Sequence, residues 1–187
     1  MKPAGMLLTP GAGSDRNHPC LVEMEKAVAP MPVERHDFPY RRAGRKAPDR
    51  APVLIADVVD AAQAFVKKTG IKANALVLGG RSMGGRICSM AVADGLRAAG
   101  LVLISYPLHP PGKPEKLRIE HFPKVDVPSL FVSGTRDPFG TPDEFAEHLA
   151  AVSGPVTYIT VEGAGHDLKG KGEFVVGTVL DWLKTVK

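Results

Sequence analysis

Cysteine is scarce in this chain: two residues, Cys20 and Cys88, among 187. They lie far apart and in no metal-ligand spacing, so neither a disulfide framework nor a metal-binding ribbon is expected. They read as reduced thiols of a cytoplasmic protein. Long hydrophobic runs are missing too. No stretch approaches the ~18 apolar residues that a membrane-spanning helix needs. The opening Met1-Lys2-Pro3-Ala4-Gly5 also lacks the apolar segment and cleavage site of a secretory signal. Charge of one sign is nearly balanced, with 24 Lys and Arg against 20 Asp and Glu, net +4. The segment 41–50 alone supplies that excess through Arg41, Arg42, Arg45, Lys46 and Arg50 against Asp49. A nucleic-acid binder spreads basic charge along a face or interleaves it with aromatics. One basic loop does neither, so no nucleic-acid or membrane partner is expected. The loop reads as a solvated face, or as an attractor for an acidic ligand or partner.

Several ligand motifs are absent as well. A dinucleotide-binding Gly-x-Gly-x-x-Gly starting at Gly11 would require glycine at position 16, which is Arg16. No Gly-Lys-Ser/Thr phosphate loop and no His-Glu-x-x-His pair occurs. No cofactor and no metal site is therefore expected.

What is present is a chain with 44% apolar residues, enough for one packed domain spanning 1–187. Short apolar runs alternate with helical patterns. The runs are Met6–Thr9, Val33–Phe38, Ala75–Gly79, Leu101–Ser105, Ser129–Ser133 and Val156–Val161. Several are almost continuously apolar, as strands covered on both faces are. Val33–Phe38 carries charges that suit a sheet edge. Helices are expected over about Pro19–Ala29, Pro52–Thr69, Gly84–Gly95, from Thr141 to before Gly154, and from Glu173 to the C-terminus. The last would bury Phe174, Val176, Val179, Leu180 and Leu183. This alternation predicts an α/β fold, a mostly parallel six-stranded sheet with helices on both faces. Ligands of such sheets sit at the carboxyl ends of the strands.

Three of those ends carry reactive groups. The first reads Gly79-Gly80-Arg81-Ser82-Met83-Gly84-Gly85, between a strand and a helix. Gly-x-Ser-x-Gly in that context is a nucleophile elbow, with the serine on a sharp turn above the sheet. The Met83 N–H then opens a helix and can face a developing oxyanion. The next strand end but one gives Gly134-Thr135-Arg136-Asp137, and the last gives Gly163-Ala164-Gly165-His166. A serine needs a base and an orienting acid. A lone Asp before Pro is ordinarily a turn residue, and a lone His ordinarily structural. The order Ser82, Asp137, His166 on three strand ends is that of the α/β-hydrolases. A second oxyanion donor is expected in the loop after the first strand, from Gly11 or Ala12, where glycines allow close backbone approach.

The chain resembles small bacterial α/β-hydrolases of the dienelactone-hydrolase-like type, nearest the subgroup related to a testis-expressed protein and a hydrolase-like chromatin-complex subunit. The resemblance covers nearly the whole chain. It rests on Pro10-Gly-Ala-Gly13 with His18-Pro19, Phe38-Pro39-Tyr40, Gly80-Arg-Ser-Met-Gly-Gly-Arg86, Tyr106-Pro-Leu-His-Pro-Pro-Gly-Lys-Pro114, Gly134-Thr-Arg-Asp137 and Gly163-Ala-Gly-His-Asp167. It implies a triad that maps onto Ser82, Asp137 and His166, with serine where dienelactone hydrolases have cysteine. Two departures stand out. Thr9-Pro10 replaces the family's frequent His-Gly, and only five residues precede Met6. The fold is thus expected without the family's antiparallel N-terminal strands.

Substrate-binding residues are sought in two loops. Tyr106 and His109 lie in the long loop beside the serine, and Arg42 and Arg45 in the basic loop, where they could hold a carboxylate bidentately. The reading is a cytoplasmic serine hydrolase, monomer or homodimer, cleaving a carboxylic ester, thioester or related acyl bond of a small molecule. A non-catalytic hydrolase-fold interaction module, docking through the basic loop, remains the alternative.

Overall fold

The near-continuous apolar runs form the centre of a sheet. A computed structural model describes residues 1–187. Its strands are β1 (Gly5–Thr9), β2 (Val33–Arg35), β3 (Leu76–Arg81), β4 (Gly100–Ile104), β5 (Ser129–Gly134) and β6 (Val156–Val161). They form one sheet of order β2-β1-β3-β4-β5-β6, and every neighbouring pair is parallel. All strands therefore end on one rim, where the reactive loops begin. The helices are α1 (Pro19–Ala27), α2 (Pro39–Arg42), α3 (Ala51–Thr69), α4 (Met83–Ala93), α5 (Pro142–His148) and α6 (Gly172–Thr185).

Period-2 alternation along the strands divides the core in two. Met6, Leu8, Val77, Val102, Leu130 and Val132 point to the face covered by Leu21 and Met24 of α1 and by Val175, Val179 and Trp182 of α6. Leu7, Leu76, Leu78, Leu101, Leu103 and Phe131 point to the other, under α3, α4 and α5. The result is the expected three-layer sandwich around a six-stranded parallel sheet. Each fully buried Val, Leu or Phe contributes about 1.5–3 kcal/mol before entropy is charged against it.

Local chemistry explains the element ends. In α3, Leu54, Val58, Ala62 and Phe65 form one buried stripe, and Gly70 closes the helix in the left-handed region at φ 72°. In α5, Glu144 N–H donates to Thr141 Oγ1 at 3.4 Å while Thr141 N–H donates to Glu144 Oε2 at 2.7 Å, a complete capping box. No helix is long and apolar enough to cross a membrane. Both cysteines are free, Cys88 within the core and Cys20 partly buried.

Three expectations are corrected. The edge strand is only Val33–Arg35, because Phe38 turns into the core and stacks on Tyr40, with ring centroids 6.4 Å apart. The basic segment is not a plain loop: its start folds as α2, with Pro39 at the first helical position. In α6 the buried stripe is Val175, Val179 and Trp182, while Phe174 is half exposed. Its phase is set by the indole of Trp182, which lies so close over Gly100 that a β-carbon there would come within 2.8 Å of it.

Candidate active site

Ser82 is the turn between β3 and α4, with φ 52° and ψ −121°. That left-handed backbone costs a non-glycine residue about 1–3 kcal/mol. The surrounding glycines make the turn sterically feasible. A β-carbon on Gly84 would lie 2.6 Å from the carbonyl oxygens of Thr9 and Pro10. The strain raises the serine side chain above the rim.

His166 follows β6. Its Nε2 lies 2.9 Å from Ser82 Oγ, and its Nδ1 lies 2.8 Å and 3.0 Å from the two oxygens of Asp137. A carboxylate facing Nδ1 fixes the proton there, leaving Nε2 to accept from the serine hydroxyl. Asp137 is 1% exposed, and its Oδ1 also accepts the Phe139 N–H at 2.9 Å. The Phe139 ring packs on the imidazole with centroids 4.1 Å apart. Arg81 Nη2 donates to the His166 carbonyl at 2.8 Å, tying the histidine loop to the end of β3. A hydroxyl, an imidazole and a carboxylate separated by 84 and 29 residues thus form one hydrogen-bonded chain.

Ser82 and His166 open into a cavity of about 750 Å³ that Gly11, Ala12 and Met83 also line. Met83 begins α4, and first-turn amides have no intrahelical acceptor. In the loop after β1 the Gly11, Ala12 and Ser14 carbonyls accept hydrogen bonds, whereas the Gly11 and Ala12 amides donate none within the protein. Tyr40 Oη donates to Ala12 O at 2.9 Å, Ser14 N–H to Gly11 O at 3.1 Å, and Arg41 Nε to Ser14 O at 2.7 Å. The short helix α2 therefore holds this loop with its amides free.

Residues 2–175 match the sequence profile of the alpha/beta hydrolase domain. The chain belongs to that family. Solved structures agree on the fold. Est1E from Butyrivibrio proteoclasticus superposes with a TM-score of 0.78 at 14% identity, covering 98% of this chain and 88% of Est1E. An alpha-beta serine hydrolase homologue from Coxiella burnetii gives 0.74 at 17% identity, covering 98% and 86%. A monoacylglycerol lipase from Paleococcus ferrophilus gives 0.74 at 14%, covering 100% and 96%.

Not every expected site residue of this alpha/beta hydrolase reaches the cavity. Arg42 and Arg45 do not: they line a separate, wholly polar cavity of about 720 Å³ beside β2. Arg42 is paired with Asp57 at 2.6 Å and Arg45 with Asp49 at 2.8 Å. The Asp57 carboxyl is held below its ordinary range by Arg42 and His36, against the opposing effect of burial. Tyr106 and His109 do not form the wall either. Tyr106 is fully buried, packs against Phe122 and Phe131, and donates from Oη to Arg118 O at 2.8 Å. The His109 ring is buried, its Nδ1 donating to Pro110 O at 2.8 Å and its Nε2 lying 3.1 Å from the Glu144 carboxylate. Their loop supplies Pro107 and Arg118 to the wall instead.

The remaining lining includes His18, Arg81, Arg86, Phe139 and Asp167. Of these, Arg86 was readable from sequence: it stands one helical turn beyond Ser82, so the two share a helix face. Arg118 was not, because the fold of a long loop brings it there. Burial, then the Arg81 charge, lowers the His18 pKa from its ordinary value. Its Nδ1 accepts the Cys20 N–H at 3.3 Å, capping α1.

Proposed function

We propose that this alpha/beta hydrolase cleaves a carboxylic ester, thioester or related acyl bond of a small molecule through Ser82, His166 and Asp137, within the dienelactone-hydrolase-like subgroup. The observation that carries the reading is the continuous hydrogen-bonded chain from Ser82 Oγ through the imidazole to the buried Asp137 carboxylate. Neighbours that are an esterase and a lipase support it.

Ser82 Oγ attacks the acyl carbon as its proton passes to His166 Nε2. Asp137 keeps the Nδ1 proton in place and stabilises the imidazolium. The carbonyl oxygen, now an oxyanion, receives hydrogen bonds from Met83 N–H and from Gly11 or Ala12 N–H, where one donor is worth roughly 10²–10³-fold in rate. His166 returns its proton to the leaving alkoxide or thiolate, giving an acyl-enzyme. Water, deprotonated by the same imidazole, then releases the carboxylic acid and restores the serine.

A fluorophosphonate probe tests this directly. Labelling should map to Ser82, disappear in Ser82→Ala and fall steeply in His166→Ala, and hydrolysis of p-nitrophenyl butyrate should follow the same pattern. A folded wild type with an unreactive Ser82 would instead support a non-catalytic interaction module.

A further inference from the structure

The arginines of the serine cavity differ from those that line the edge of the sheet at β2. On the β2 side, Arg35, Arg42 and Arg45 each lie within 2.8 Å of a carboxylate. In the cavity, Arg81, Arg86 and Arg118 face the same space as Ser82, with Asp167 as the acidic residue of the wall. None of the three has a carboxylate within 4.0 Å. Arg81 has a structural partner in the His166 carbonyl. Arg86 and Arg118 donate no side-chain hydrogen bond to any protein group, and the Arg86 Nε–H is both shielded from solvent and unpartnered.

Both guanidiniums are anchored by their backbones. Arg86 N–H donates to Ser82 O at 3.1 Å in the first turn of α4. Arg118 is held at both ends of its peptide: its N–H donates to Leu108 O at 2.8 Å, and its carbonyl accepts from Tyr106 Oη at 2.8 Å. Tyr106, locked among Phe122 and Phe131, thus positions Arg118. Burial and the Arg86 charge lower the Arg118 pKa from its ordinary value, so the two cations feel each other. Glu120 and Asp94 act on His121 behind them, but neither is within 4.0 Å of a guanidinium.

An unmatched, partly desolvated pair of like charges beside a nucleophile is unfavourable by itself, and a substrate anion would relieve it. We propose that Arg86 and Arg118 form a subsite for an anionic group on the substrate, so that the esters or thioesters cleaved carry a carboxylate or phosphate beyond the scissile acyl bond. The subsite deepens the serine-hydrolase reading and rests on it for its place in catalysis.

Paired ester series test it. The p-nitrophenyl monoesters of succinic, glutaric and adipic acid are compared with those of butyric, valeric and hexanoic acid. Wild type should favour at least one charged ester in kcat/KM, and the preference should fall as ionic strength rises. Arg86→Ala and Arg118→Ala should each lower the charged-to-neutral ratio roughly 10- to 100-fold. Arg86→Lys and Arg118→Lys should retain part of it, because charge remains while the planar fork is lost. Circular dichroism and melting curves identify any variant that fails to fold, and the lysine variants then carry the comparison.

Binding supplies a readout independent of turnover. Calorimetric titration of Ser82→Ala with glutarate, inorganic phosphate and neutral glutaramide should show heat for an anion and none for glutaramide. Glutarate binding identifies a carboxylate subsite, and phosphate binding a phosphate subsite. Loss of either in the Arg118→Ala background supports the assignment. Equal turnover of charged and neutral esters, with ratios indifferent to both arginines, overturns the subsite and leaves the Ser82 mechanism standing. Anion binding by a protein whose Ser82 never labels supports the subsite and overturns the hydrolase reading.

Discussion

The backbone of Ser82 offers a test of the elbow that needs no substrate. With φ 52° and ψ −121°, the residue holds a conformation that a β-carbon opposes. Such strain is worth about 1–3 kcal/mol. Ser82→Ala and Ser82→Gly both remove the hydroxyl and its 2.9 Å contact with His166, so that loss cancels between them. They differ in the β-carbon. Glycine relieves the strain but loses about 0.5–1 kcal/mol more backbone entropy on folding. With the strain near the middle of its range the difference favours Ser82→Gly by about 1 kcal/mol, within a full range of about 0–2.5 kcal/mol. For a chain of this size about 1 kcal/mol is about 2–4 °C in Tm. At ordinary helix and strand positions the order is reversed, with alanine the more stable, so the sign is diagnostic. Urea unfolding of the two variants, followed by circular dichroism and by Trp182 fluorescence, measures it. A Ser82→Ala protein as stable as Ser82→Gly, or more stable, would refute the claim that the elbow stores strain.

Further outcomes follow from the same geometry. Gly84→Ala drives a β-carbon to 2.6 Å from the carbonyls of Thr9 and Pro10; it should cost about 1–3 kcal/mol in urea unfolding and reduce kcat more than stability, because the displaced loop carries the Gly11 and Ala12 amides. Asp137→Asn should lower kcat by roughly 10⁴-fold on p-nitrophenyl butyrate, by favouring the wrong imidazole tautomer, and leave the circular dichroism spectrum unaltered; a loss below tenfold would contradict the orienting role. Burial, aided by the Arg86 charge, pushes the His121 pKa down from 6.5 to about 4. The unfolded chain therefore binds a proton that the fold excludes between those values. The stability that a neutral His121 secures is complete above about pH 6.5 and is lost as pH falls toward 4, by on the order of 1–3 kcal/mol. His121→Gln should flatten that limb in melts taken from pH 7 to 4.5; an unaltered limb would show that other groups cause it.

Much of the fold is legible in local patterns. The apolar runs, the Thr141–Glu144 capping box, the Gly70 helix stop and the strand-to-helix glycines each report a backbone state decided within a few residues. The phase of α6 is less legible. Leu180 and Leu183 compete with Trp182 for the buried face, and the choice turns on the space over Gly100, a residue of a distant strand.

The same division holds at the rim. By itself the sequence determined that a serine on an elbow, an aspartate and a histidine leave the carboxyl ends of three parallel strands, β3, β5 and β6, because strand positions and side-chain periodicity follow from short-range pattern. It did not determine which arginines face Ser82. Arg42 seemed suited until Asp57, on the facing helix, claimed it, and Arg118 is held at the cavity by the Leu108 carbonyl and the Tyr106 hydroxyl, which anchor its backbone. Partner choice for a long charged side chain depends on which groups the finished fold brings within about 4 Å, and that is a property of the packed molecule.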